Sequence, residues 1–400
     1  MQLTNTFGMR KEPFRPRDGH VGVYVCGVTP YDTTHAGHAF TYVSFDVLIR
    51  YLRYQGVRVT YVQNVTDIDD DILRKAKQVG LTWDELGRRE TEKFRQDMDA
   101  LNWMPPDHYP FASQAIDDIV AITQRLVERG YAYVRNGSVY YEVRKDPEFG
   151  QLADLGYDEA LAIANERGNY PDDPNKKDPL DFVLWQAAQP GEPAWPSPWG
   201  PGRPGWHIEC SAMATRHLGP VVDLHGGGSD LIFPHHSCEI AQTEHYTGQK
   251  PFVRCWLHSA MVKLDGVKMS KSLGNLVMAR EVLARVPADA MRLYLSSHHY
   301  RQEWDWKEAE LEEALGWARR IADAVGARAD GAGRPPFDGG AERAAFLNAV
   351  DDDLNTPEAI RVLRQLADAV EQKATTHDVS AAQATLRDLA GRVLGLSLRL

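Results

Sequence analysis

Residues 21–38 read VGVYVCGVTPYDTTHAGH. The β-branched run from Val21 to Cys26 predicts a short strand that stops at Gly27. A turn rich in Thr, Pro and Asp follows, and then Phe40, Val43, Phe45, Leu48 and Tyr51 recur at helical spacing. Strand, loop and helix in that order open a parallel α/β unit. The loop that feeds the helix amino end is the place where such a unit favours phosphate, and Thr34-His-Ala-Gly-His38 falls there.

Working outward, Val57 to Val62 predicts the next strand, with Asn64 to Asp70 as the polar loop at its carboxyl end. Ligands gather at such ends in open parallel sheets. Residues 83–132 predict helix broken at Pro105-Pro106, and Val139 to Val143 a strand of an inserted module. From Asp146 to Gly205 the chain turns polar and loop-rich, with Pro and Trp clustered from Pro190 to Trp206 in an ordered loop. The sheet resumes at Val221 to Leu224, before Gly226-Gly-Gly228 and a helix from Pro234 to Tyr246. Beyond Gly274 the chain reads as helical apart from a Gly/Pro-rich linker over 326–340, with amphipathic helices from Pro357 to Glu371 and Ala381 to Leu394. The expected fold class is α/β, a Rossmann-like parallel sheet split by a connective insertion and followed by a mainly helical C-terminal region.

Four hundred residues suit a multidomain chain, and 43% apolar with 25% charged residues suits a globular one. Lys+Arg 45 against Asp+Glu 56 leaves a net charge of −11. That argues against indiscriminate duplex binding and leaves room for a local basic groove. No apolar run approaches membrane-spanning length, and the opening residues lack the apolar core of a signal peptide, so a cytoplasmic protein is expected. Cys26, Cys210, Cys238 and Cys255 are too scattered for a disulfide framework; reduced thiols or metal ligands are the open readings.

In the loop before the helix, Gly37 lets a nucleotide approach the backbone, and His35 and His38 can stabilise charge developing on phosphate. Its partner is Lys268-Met-Ser-Lys-Ser272, bracketed by Asp265-Gly266 and Gly274-Asn275, a loop suited to close over a triphosphate. Together and in this order the two motifs resemble the signatures of class I aminoacyl-tRNA synthetases. The chain is similar, more narrowly, to the cysteinyl branch. It matches at Tyr24 to Gly27, Tyr61 to Asp70, Gly202 to Cys210, and His225 to Asp230 running to Pro234-His-His236.

The resemblance implies His35, His38, Lys268 and Lys271 as catalytic residues and Thr34, Gly37, Met269, Ser270 and Ser272 as ATP-binding. Gly27, Thr29, Thr41, Thr66, Trp206, Gly228, Ser229 and Asp230 are implied for cysteine and its adenylate. Cys26 and Cys210 with His235 and Glu239, spaced i and i+4 on one expected helix face, make a chemically reasonable tetrahedral zinc site. From the residues alone, buried thiols and an exposed helix pair remain the plainer reading; the resemblance assigns the quartet to one Zn2+ per chain. It also implies Mg2+ with ATP and assigns no role to Cys238 or Cys255.

On the same resemblance, residues 1–125 and 206–265 are the halves of the catalytic domain and 126–205 the connective insertion. Residues 266–325 hold the signature loop and a stem-contact-like helical region. Residues 341–400 form a helical bundle without a recognisable anticodon-reading extension. ATP and L-cysteine are the expected substrates, without a membrane partner and with a monomeric chain. Two acceptors fit: tRNA(Cys), and the amine of glucosaminyl-inositol used by the related mycothiol-pathway ligase. Thr29-Pro30, His299-Tyr-Arg301 and the short tail resemble the sugar ligase. Leu3 to Thr6, Lys11 to Phe14 and the carboxylate of Glu239 resemble the tRNA ligase and make tRNA(Cys) the preferred acceptor. A non-catalytic paralogue is disfavoured, since both signatures and all four metal candidates are intact.

Overall fold

The computed structural model describes residues 1–31, 34–269, 273–327 and 333–399. At its centre four parallel strands lie in the spatial order Val253–Ser259, Val222–Gly228, His20–Val28 and Arg58–Val65. His20–Val28, the first of these four along the chain, therefore has the second on one side and the third on the other. This reversal of winding opens a crevice at the carboxyl ends of His20–Val28 and Val222–Gly228, the usual ligand position of a doubly wound sheet.

Strand alternation sends Val21, Val23 and Val25 to one face and Tyr24 and Cys26 to the other. The valines share a core with Phe40, Val43, Phe45, Leu48 and Tyr51 of the helix Ala36–Tyr54. On the opposite face, Tyr24 and Cys26 share a second core with Ile208, Cys210, Ala212 and Met213 of the helix Trp206–Leu218. Both faces are covered, as a parallel sheet requires.

The region expected to be loop-rich contains more regular structure than its composition suggests. Within it the strands Phe182–Ala187 and Gly202–Pro204 join Ala132–Arg135 and Ser138–Tyr141, which precede it, in an antiparallel sheet, and Tyr157–Glu166 is a helix. That helix buries only Ala160 and Ala164, a face too small to register as an apolar stripe. The expected strand over 139–143 ends at Tyr141, and Val143–Lys145 is a single tight helical turn. Gly226-Gly-Gly228, expected beyond the strand, lies within it. A Cβ on Gly226 would fall 1.8 Å from the carbonyl oxygen of Leu257, so only glycine permits that strand contact. The helix expected from Pro234 begins at Ser237; before it, Ile232–His236 makes one wide turn with Phe233 extended at φ −139°, ψ 135°.

An amino-terminal hairpin, Gln2–Asn5 with Arg10–Pro13, was not expected from sequence. It docks on the strand Val253–Ser259: Thr6 N–H donates to the carbonyl of Trp256 at 2.9 Å, and Trp256 N–H to Asn5 Oδ1 at 3.0 Å. Strands Val262–Leu264 and Val267–Lys268 pair around Asp265 and Gly266, both at positive φ, and Trp304–Asp305 pairs in parallel with Val262–Leu264. Helices Ala288–Ser296, Glu308–Gly326, Gly340–Asp351, Thr356–Lys373 and Ser380–Asp388 complete the C-terminal region. Among the described residues no helix is long and apolar enough to cross a membrane.

Candidate active site and metal centre

The crevice at the switch point is a cleft of about 650 Å³. Cys26, Gly27 and Thr29 reach it from the first strand; His35, Gly37, His38 and Thr41 from the helix that follows; Trp206, Gly228, Asp230, Lys268 and Met269 complete the wall. Thr34, Thr66 and Ser229 do not line it. Thr34 is buried with its carbonyl accepting from Ala279 N–H at 2.9 Å. Thr66 is buried with its N–H on Val28 and its hydroxyl accepting from Asn64 Nδ2 at 3.3 Å. Ser270, Lys271 and Ser272 lie outside the described residues.

Gly27 is required by geometry, since a Cβ there would fall 1.5 Å from the carbonyl oxygen of Asn64. Its bare N–H donates to Asn64 Oδ1 at 2.8 Å, locking the end of the first strand to the loop after the second. His35 has a role that sequence reading did not assign: it caps the helix Ala36–Tyr54, its Nδ1 accepting from Gly37 N–H at 3.1 Å. With Nδ1 accepting, the proton of a neutral ring sits on Nε2. The His38 ring stacks on it at 3.8 Å between centroids. Both imidazoles therefore stand at the positive end of a 19-residue helix, where an anion is favoured.

The far side of the signature loop is tied to the same place. Ala36 N–H donates to Val277 at 2.8 Å, Ala279 N–H to Thr34 at 2.9 Å, and His35 pairs with Met278. Lys268, about half exposed, lies 3.8 Å from the carboxylate of Asp230 across the cleft.

Behind the cleft, Cys26, Cys210, His235 and Glu239 are buried together, each offering one ligand atom within 4.8 Å of the others. The sulfurs of Cys26 and Cys210 are 3.7 Å apart, Cys26 Sγ is 3.6 Å from Glu239 Oε1, and His235 Nε2 is 3.1 Å from the same oxygen. The helix Trp206–Leu218 delivers Cys210, and the wide turn Ile232–His236 swings His235 over Glu239. Burial pushes every charged form in this cluster toward neutrality. Partners reverse it for three members: burial of Glu239 is outweighed by His225 and His235, which hold it at about 2; burial of His235 is outweighed by Cys210 and Glu239, which lift it to about 10. Burial of Cys210 is likewise outweighed, by the hydrogen bond from Cys26 and by His235, leaving it at about 6. Cys26, raised by burial and by Cys210, keeps its proton. The donor set of two sulfurs, an imidazole and a carboxylate could hold a metal ion.

Around this quartet stands a shell of further imidazoles that sequence reasoning gave no role. His207 Nδ1 is 3.0 Å from His235 Nδ1, His225 Nε2 is 2.9 Å from Glu239 Oε2, and His236 Nδ1 is 2.6 Å from His258 Nε2. Burial holds His207 and His236 well below the usual histidine range and His258 at about 3, so these rings are neutral. Trp206 packs its ring 4.4 Å from His235 and presents to the cleft the wall expected of it. Cys238 and Cys255 are buried, and burial pushes both thiols up.

Comparison with known proteins agrees with this geometry. Residues 14–316 match the model of the tRNA synthetases class I (C) catalytic domain, and residues 345–399 the DALR domain. A cysteine–tRNA ligase of Alkalilimnicola ehrlichii is 48% identical over 400 residues, covering 99% of this chain and 85% of that protein. One from Methylococcus capsulatus is 47% identical over 405 residues with the same coverage. Among solved structures, a Mycobacterium tuberculosis methionyl-tRNA synthetase bound by methionyl-adenylate superposes with a TM-score of 0.68 at 17% identity, covering 96% of this chain and 93% of that one. That likeness establishes the class I fold.

Proposed function

The chain belongs to the class I cysteinyl-tRNA synthetase family, and on that premise we propose that it activates cysteine with ATP and passes the cysteinyl group to tRNA(Cys). The observation that carries this reading is one cleft with an anion-favouring His35/His38 helix end on one wall and a buried thiol–imidazole–carboxylate quartet behind another.

Cys26, Cys210, His235 and Glu239 would hold one Zn2+, since a compact set of two sulfurs, a nitrogen and an oxygen suits its tetrahedral preference. When bound, zinc supplies a soft Lewis acid that takes a thiolate directly and holds the near-isosteric serine hydroxyl poorly. Trp206 closes the pocket beside His235, while the cleft-lining Gly27, Thr29, Thr41, Gly228 and Asp230 orient the ammonium, carboxylate and ribose. The carboxylate of cysteine attacks the α-phosphorus of ATP; the bond to the β-phosphate breaks, giving cysteinyl-adenylate and pyrophosphate. His35 and His38, with Lys268 and Lys271 of the signature loop, stabilise the charge that builds on the phosphates. Gly37, Met269, Ser270 and Ser272 seat the nucleotide, whose triphosphate carries Mg2+. A ribose hydroxyl of the tRNA end then displaces AMP.

Glu239 within the quartet supports tRNA over glucosaminyl-inositol as acceptor. Cysteine-dependent ATP–pyrophosphate exchange tests activation, and labelled cysteine offered to tRNA(Cys) and glucosaminyl-inositol in parallel tests transfer. Charged tRNA is the expected product; label on the amino sugar alone would overturn the acceptor.

A further inference from the structure

Three side chains outside the quartet run in single file from the amino-terminal hairpin to the sulfur of Cys26. Thr6 Oγ1 lies 2.8 Å from His258 Nδ1, His258 Nε2 lies 2.6 Å from His236 Nδ1, and His236 Nε2 lies 3.2 Å from Cys26 Sγ. All four residues are buried. The outer end is anchored by backbone, because Thr6 N–H donates to the carbonyl of Trp256 in the same strand as His258.

A neutral imidazole has one N–H and one lone pair, so two in file can be polarised in only two ways. In one, Thr6 donates and every proton points toward Cys26. In the other, the protons point outward and Thr6 accepts. The choice bears on a second set of potential ligands, Cys26, His225, His236 and Glu239, which shares two members with the first. For His236 to ligate through Nε2, its proton must sit on Nδ1 and the file must point outward. For His236 to stay off the metal and donate to the sulfur of Cys26, the file must point inward, starting from a hydroxyl donor.

Resting on the metal reading above, we infer that Thr6 is a positioning residue whose hydroxyl donates to His258 and so holds His236 as a hydrogen-bond donor to Cys26 rather than as a rival ligand. The hairpin thereby selects which quartet takes the ion. Hydrogen bonds behind the ligands fix ring tautomer and ligand basicity elsewhere, and their loss costs 10- to 100-fold in metal affinity.

The test uses the full chain with Thr6→Val, Thr6→Ala and Thr6→Ser, loaded with Zn2+ or Co2+. Zinc affinity is read by chelator competition, the sulfur-to-cobalt charge-transfer band by absorbance, and folding by Tm. The expected result is a loss of about 10-fold or more in zinc affinity and a shifted band for Thr6→Val and Thr6→Ala, with Thr6→Ser matching the unmodified protein. Unchanged affinity and spectrum in a folded Val or Ala variant overturns the inference, as does a Ser variant as impaired as they are. If the unmodified protein takes up no zinc, the metal reading itself falls and the role of Thr6 with it.

Discussion

Two buried polar clusters in this molecule behave in opposite ways. Between the helices Ala36–Tyr54 and Ala288–Ser296, Arg292 and Asp46 form a fully buried ion pair. Arg292 also donates to the carbonyls of Leu394 and Leu101, and Asp46 accepts from Arg50 and from Met104 N–H. Asp353 is likewise well supplied with donors, accepting from Thr4 N–H and hydroxyl, the Tyr300 hydroxyl and Nε and Nη2 of Arg301. At the carboxyl end of the sheet, by contrast, two sulfurs, an imidazole and a carboxylate converge with no lysine or arginine ion-paired to Glu239 among the described residues. Opposite charges that cancel hold a fold together. A carboxylate balanced by imidazoles alone, with two sulfurs beside it, is costly to bury and is better satisfied by a cation.

The sharpest way to break this contrast is to remove one member from each cluster. Cys210→Ser should abolish zinc stoichiometry and cysteine-dependent ATP–pyrophosphate exchange while the apo-protein melts near the unmodified one. Retained zinc at one equivalent would refute the quartet. Arg292→Met should do the reverse, taking from the buried Asp46 one of its two arginine partners and leaving Arg50. The expected cost is at most about 3–5 kcal/mol of stability, read as a lower midpoint in denaturant, with zinc content of the folded fraction unchanged.

How much of this was legible in the sequence follows from the range of the forces involved. The strand, loop and helix over 21–54 could be read because alternation and helical spacing are local, and Phe40 through Tyr51 do face the sheet. Cys26 and Cys210 are far apart in sequence, and only resemblance joined them; the structure places them 3.7 Å apart. His207, His225, His236 and His258 share no spacing with one another, because they converge from two helical segments and two neighbouring strands. The bridge from Thr34 and Ala36 to Val277 and Ala279 is a backbone contact, carrying no side-chain signature at all. Composition also misled over 146–205, where small alanines and a proline-flanked strand disguise a helix and two strands of an antiparallel sheet.

A finer separation lies between charge used for chemistry and charge used for docking. Lys268→Ala removes a cleft-lining ammonium that faces Asp230 without anchoring the core. Its effect should fall on the rate of exchange, down about 10²- to 10³-fold by analogy with removal of a transition-state donor. Zinc content and Tm should not move; a matching fall in Tm would make Lys268 structural.

The smallest effect, and the one that resolves the structural cluster best, is in acid. Burial of Asp353 would raise its carboxyl, yet hydrogen bonds from Thr4, Tyr300 and Arg301 hold it below the usual carboxylate range. A depressed folded value means that the unfolded chain binds this proton more readily. The stabilisation is therefore complete above the unfolded carboxylate value of about 3.9 and is lost as pH falls through the folded one. Asp353→Asn should cost stability at pH 7, with a smaller difference from the unmodified protein at pH 3. Melting both proteins at the two pH values reads this directly, and an equal gap at both would show that the carboxylate charge at Asp353 contributes nothing beyond shape. The metal quartet would carry an acid dependence of its own, because its ligands must give up their protons to hold an ion.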